Sequence, residues 1–182
     1  MTPVHIFVKK HRTDAEPRNG SPQRRRFRSG DLKMEAERLA FPDGFFNIVS
    51  CRQSEFNAAE AARVLVPGGR FFTQQVSEGD KLNIKQAFGL QTGKPGALRD
   101  RCVRELRQAG FVDIDVIEFT IIEYFRTPAD LLFLLKHTPT IPDFGRKDEH
   151  FEIFGRFIRE NRTEKGIRTN MERFILTARK PQ

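Results

Sequence analysis

The chain has 182 residues, 38% of them hydrophobic and 31% charged, which is enough for one globular domain with an apolar core. Its net charge of +8 is uneven: residues 1–30 hold eight basic groups (Lys9, Lys10, Arg12, Arg18, Arg24, Arg25, Arg26, Arg28) and two acidic ones (Asp14, Glu16), and residues 31–182 hold the other 24 basic and 22 acidic groups. A near-neutral body offers little field for nucleic acid, two cysteines exclude a disulfide scaffold, and no apolar run approaches the ~18 residues of a membrane span.

In chain order, residues 4–8 form a short apolar run that gives way at once to Lys9-Lys10, too short for a signal-peptide core. Residues 9–30 combine Pro, Gly, Ser, Asn and Arg with almost no apolar side chain before Phe27. They cannot bury enough surface to offset their ordering entropy, so residues 1–30 read as a disordered basic leader and 31–182 as the folded part. Residues 45–51 follow the turn Pro42-Asp43-Gly44 and read as a buried strand. Asn57, with Glu60 three residues on, opens a helix whose inner side is Ala58, Ala61, Ala62, Val64 and Leu65, and Pro67-Gly68-Gly69 ends it. Residues 70–76 form a second buried strand, parallel to the first across a right-handed crossover.

Leu98, Cys102, Leu106 and Ala109 share one face of a predicted helix over 97–109, and Gly110 stops it. A long strand over 111–123 follows, with Val112, Ile114, Val116 and Phe119 alternating. Thr127 caps a helix over 129–136 with Pro128 in its first turn. Phe151, Phe154, Phe157 and Ile158 mark a further helix and read as core packing, and a strand over 172–178 closes the chain. Strands alternating with helices predict a layered α/β domain. The four histidines lack metal-ligand spacing, so no metal site is expected, and a cytoplasmic setting without a membrane partner is the default.

Three stretches carry a resemblance to a known family. Glu35-Ala36-Glu37-Arg38-Leu39-Ala40-Phe41-Pro42-Asp43-Gly44-Phe45-Phe46-Asn47 resembles the acid-Ala-Glu-x-Leu-Pro-Phe-Pro-Asp-x-Ser-Phe-Asp run of class I S-adenosylmethionine-dependent methyltransferases, which leads from strand 3 into strand 4. Ala61-Ala62-Arg63-Val64-Leu65-Val66-Pro67-Gly68-Gly69 is similar to that family's E-x-x-R-V-L-x-P-G-G segment before strand 5, and Gln74-Gln75-Val76 to the close of strand 5 in its methyltransferase type 11 branch. The resemblance implies an α/β fold with an incomplete Rossmann-like methyltransferase sheet. Strands 4 to 7 and a trace of strand 3 would be present with flanking helices, strand 7 being antiparallel.

The resemblance also implies site residues. Glu35 takes the place of the family's acid, since it stands six positions before Phe41 as that acid does, whereas Asp31 stands ten before it. Glu35 and Ala36 would then lie beside the adenine of S-adenosylmethionine, which needs an acceptor for its exocyclic amine and a donor for the adjacent ring nitrogen. Cys51 and Arg52 would contact the cofactor and Gln53 a small or medium-sized acceptor, at the carboxyl edge of a parallel sheet where open α/β folds bind ligands. No histidine stands near Cys51 in sequence to activate it, which suits a packing role for the thiol. Methyl transfer is an in-line displacement that asks for proximity and orientation, so no acid–base pair is required.

The family's acidic-x-Gly-x-Gly-x-Gly loop after strand 1, and its second acid after strand 2, have no counterpart: residues 1–33 contain only Gly20 and Gly30. The expectation is a chain that begins in mid-fold and by itself binds S-adenosylmethionine weakly or not at all, the alternative being a non-catalytic methyltransferase-like remnant that acts through a partner chain. Its strand at 45–51 would be an apolar edge open to self-association. Arg24-Arg25-Arg26, with Phe27 as the one neighbouring aromatic, reads as a solvated basic tail and not as a nucleic-acid contact.

Overall fold

A computed structural model describes residues 7–8 and 39–182. Glu35, Ala36 and residues 9–30 of the expected leader lie outside the described residues. The elements are β1 (Phe7–Val8), β2 (Phe46–Arg52), α1 (Ala58–Val64), β3 (Leu65–Val76), α2 (Leu82–Ala87), α3 (Ala97–Gln108), β4 (Val112–Phe125), α4 (Pro128–His137), α5 (Glu149–Asn161), β5 (Arg162–Thr163) and β6 (Gly166–Arg179). The strands form an open mixed sheet in the order β1-β2-β3-β6-β4, with β5 paired to β6. β2 and β3 are parallel, as the helix between them requires. β6 runs antiparallel to β3, since Lys180 bonds Gly69 at one end and Glu172 bonds Ser77 at the other. On the far side of β2, Phe7 and Val8 pair antiparallel with Ser50 and Val49.

The caps form where the sequence places them. Asn57 accepts a hydrogen bond from the Glu60 N–H at 3.0 Å, and Thr127 forms a reciprocal capping box with Asp130 behind Pro128. The boundary between this first helix and the strand after it differs from expectation. The helix ends at Val64 and β3 begins at Leu65, so Pro67-Gly68-Gly69 lies inside the strand instead of ending the helix. The ladder to β2 absorbs this run by a register shift, from Phe46 opposite Leu65 to Ile48 opposite Arg70. Gly68 takes φ 75° there, and its N–H reaches the Lys180 carbonyl at 3.0 Å. A Cβ on Gly69 would stand 2.8 Å from the Val66 carbonyl oxygen, so this close approach requires glycine.

The chain divides into two compact units. The first holds the described residues up to Gln75, Val103–Val116 and Ile175–Gln182. Its core includes Phe46, Val49, Val64, Leu65, Phe71, Leu106 and Phe111, all buried. Phe71 packs between Phe56 and Phe111, with ring centroids at 4.9 and 5.9 Å. Burial of such a ring contributes roughly 2–3 kcal/mol.

The second unit holds Val76–Cys102 and Ile117–Phe174. Its core joins Ile84, Leu131, Leu135, Ile141, Phe154, Phe157 and Ile167. Phe154 and Phe157 of the Phe-rich helix are therefore core, while Phe151 is exposed. Beside this core lies a buried ionic group. Lys81 is 3% exposed and holds φ 55°, with its Nζ 2.5 Å from Glu123 and 3.7 Å from Asp80. Asp80 in turn accepts from the Arg173 guanidinium and from the Glu172 N–H at 3.1 Å. These bonds fix the turn after β3 to β6. No helix among the described residues is long and apolar enough to cross a membrane.

Candidate functional site

The carboxyl ends of the parallel strands β2 and β3 lie in the first unit, Cys51 opposite Thr73 and Arg52 opposite Gln74. β2 ends in a sharp reversal at Gln53, which holds φ 52° and donates its N–H to the Gln74 carbonyl at 2.8 Å. A non-glycine residue in this left-handed region is strained and persists only where its surroundings hold it. Here a buried polar group does so. Gln75 donates its side-chain amide to the Ser54 carbonyl at 2.9 Å and to Thr73 Oγ1 at 2.7 Å. Cys51 Sγ meets Ser54 Oγ at 3.1 Å and the Ser54 carbonyl at 3.3 Å. Thr73, Gln75 and Ser54 are all buried, so their mutual bonds are what make that burial tolerable.

The expected site residues therefore part company. Arg52 and Gln53 are exposed at this edge and can meet a ligand. Cys51 is 2% exposed and its sulfur meets Ser54, so the thiol faces its own chain. Burial pushes the Cys51 thiol above its ordinary value of 9.0, against hydrogen bonds from Ser54 and Thr73 that pull it down. A thiol kept protonated is a poor nucleophile. Glu35 and Ala36, lying outside the described residues, have no observed geometry.

A second feature bears on those two positions, because it holds the segment that follows them. Arg63 of α1 donates Nη1 to the Phe41 carbonyl at 2.8 Å and to Asp43 at 2.7 Å, and Nη2 to the Leu39 carbonyl at 3.0 Å. Glu60 receives Arg63 Nε at 2.9 Å and the Leu39 N–H at 2.7 Å. The hydrogen bonds to Glu60 and Asp43 hold the Arg63 guanidinium above its ordinary range. Two of the three sequence stretches that carried the resemblance thus meet in one clamp, and rings of Phe41, Phe45 and Phe46 pack together next to it in sequence.

The sequence gives Glu60 a capping role only and assigns no site role to Ser54, Thr73 or Gln75. Nothing in a single polar residue at a strand end announces that it is buried and paired. The one available signal was Gln75, a long polar side chain in the same alternating register as the apolar Phe71. Among the described residues no group of three or more His, Cys, Asp or Glu could hold a metal ion.

No family model matches the chain, and no curated protein matches it. Solved structures do. The chain is similar to a candidate methyltransferase from Bacillus halodurans at 20% identity and TM-score 0.48, over 82% of this chain and 76% of that one. It is similar to the YcgJ protein of Bacillus subtilis at 16% identity and TM-score 0.47, over 81% and 69% of the two chains. A third similar structure is a Haemonchus contortus phosphoethanolamine N-methyltransferase in complex with phosphomonomethylethanolamine and S-adenosylhomocysteine. There the identity is 16% and the TM-score 0.42, over 81% of this chain and 36% of that one.

Proposed function

We propose that this chain forms the acceptor-side part of a class I S-adenosylmethionine-dependent methyltransferase site, acting on a small or medium-sized polar acceptor. The observation that carries the reading is the Arg63–Glu60 clamp. It joins the Phe-Pro-Asp segment after Glu35-Ala36 to the Glu-x-x-Arg-Val-Leu-x-Pro-Gly-Gly run, in the strand–helix–strand order the resemblance implies. The antiparallel β6, beside β3, is consistent with the same reading.

The fit of the cofactor is uneven along its length. Glu35 would accept from the adenine amine and the Ala36 N–H would donate to the ring. No glycine-rich loop for the methionine end stands in the sequence. Bound S-adenosylmethionine would supply a methyl group on a sulfonium sulfur that departs as a neutral thioether. The chain's own contribution is orientation. Gln53, fixed in its left-handed turn by the Gln75–Ser54 bond, presents an amide that donates to and accepts from a polar acceptor, and Arg52 presents a cation to an anionic one. Cys51 takes no part in bond making.

Adenosine, methionine and S-adenosylmethionine titrated separately by NMR test this reading. The expected result is dissociation constants in about the millimolar range for S-adenosylmethionine and adenosine, with no response to methionine. Glu35→Ala should weaken adenosine about tenfold by removing one charge-assisted hydrogen bond. No response to adenosine contradicts the adenine assignment, and micromolar binding of S-adenosylmethionine contradicts the weak fit at the methionine end.

A further inference from the structure

Among the described residues, Gln53, Lys81, Asp113 and Asp143 hold a left-handed backbone without being glycine. Aspartate visits that region readily, and Lys81 is held there by its buried ion pairs. Gln53 has neither reason: it is a long, exposed side chain standing just past the end of β2. Alternation along β2 shows what its φ of 52° does. Val49 and Cys51 are buried and Arg52 is exposed, so a chain that stayed extended would turn residue 53 inward. The left-handed residue shifts that phase by one. Gln53 is exposed, and the small Ser54 takes the buried place.

Two chain positions thus compete for one buried place, and a carboxamide decides between them. The inward positions at the end of β3 are Phe71, Thr73 and Gln75, and at the last of these an apolar side chain would avoid the cost of burying an amide. Gln75 is 7% exposed and donates its amide to the Ser54 carbonyl at 2.9 Å and to Thr73 Oγ1 at 2.7 Å. The side-chain contacts of Ser54 with Cys51 involve a thiol, which is a weak donor and a weak acceptor. We infer that residues 52–55 form a two-position turn and that Gln75 is its positioning residue, holding Ser54 inward and so keeping Gln53 on the solvent side beside Arg52. The inference rests on the proposed function of that edge: released, the turn would carry Gln53 inward and take its amide away from the acceptor.

Amide hydrogen exchange by NMR on the ligand-free chain tests the turn, so its outcome is separate from that of the adenosine and S-adenosylmethionine titrations. The Gln53 N–H, bonded to the Gln74 carbonyl, is expected to be protected in the wild type. Gln75→Met keeps the bulk of the side chain and loses the donor, and should speed exchange at residue 53 at least about tenfold while leaving Phe71 unchanged. Gln53→Gly removes the steric cost of the left-handed region. In the Gln75→Met background it should restore the protection, and alone it should raise the melting temperature by about 4 °C. Unchanged exchange at residue 53 in Gln75→Met overturns the role of Gln75. Acceleration that Gln53→Gly does not reverse overturns the two-position turn. So does a Gln53→Gly chain that melts no higher than the wild type, a measurement that needs no folded Gln75→Met chain.

Discussion

At the scale of single residues, burial decides what Cys51 can do. Its thiol sits in the bonded group of Ser54, Thr73 and Gln75, and the folded chain raises its pKa above 9.0. The folded state therefore binds the thiol proton more tightly than the unfolded state does. The resulting stabilisation is fully present below pH 9.0 and is lost as the pH rises through the raised folded value. Denaturation measured as a function of pH should show stability falling more steeply above pH 9 in the wild type than in Cys51→Ala. Equal slopes would show that the thiol is not shielded. The same enclosure turns Cys51 inward, while its neighbours Arg52 and Gln53 are exposed. The sequence marks all three positions alike as the end of a strand, and only the turn at Gln53 distinguishes inward from outward.

At the scale of elements, what was legible was what periodicity and capping encode. β2, α3 and α4 appear close to their expected bounds because an apolar run, a 3–4 spacing and a Thr-Pro cap are each local signals. α2 was not legible: it has six residues, buries only Ile84 and starts from Lys81 without a side-chain cap. It exists because Lys81 is pinned by Asp80, Glu123 and Asn170, partners that lie as far as 89 residues away in sequence. The start of β6, residues 166–171, was missed for the same reason, since Asn170 is held by bonds with the 77–82 turn. That ionic group is the element-scale point of weakness. Arg173→Met should cost about 3 kcal/mol in urea denaturation by leaving Asp80 buried without its guanidinium partner, while Asp80→Asn together with Arg173→Met should cost less than the sum of the two single changes. Additive losses would mean that Asp80 and Arg173 do not act as a pair.

At the scale of the whole molecule, the basic head and the near-neutral body remain separate matters. The +8 charge is concentrated in residues 1–30, and the described body shows acidic and basic groups in pairs. In the sheet, Phe7 and Val8 pair with Ser50 and Val49 of β2, and β4 is the last strand at the other end. The central claim is that the carboxyl ends of β2 and β3, with the segment clamped by Arg63, form a place for S-adenosylmethionine and an acceptor. Ultraviolet cross-linking of methyl-labelled S-adenosylmethionine at saturating concentration, followed by peptide mapping, tests it most directly. The account predicts label within residues 34–53. Label confined to residues 117–174, or none at all, would contradict it.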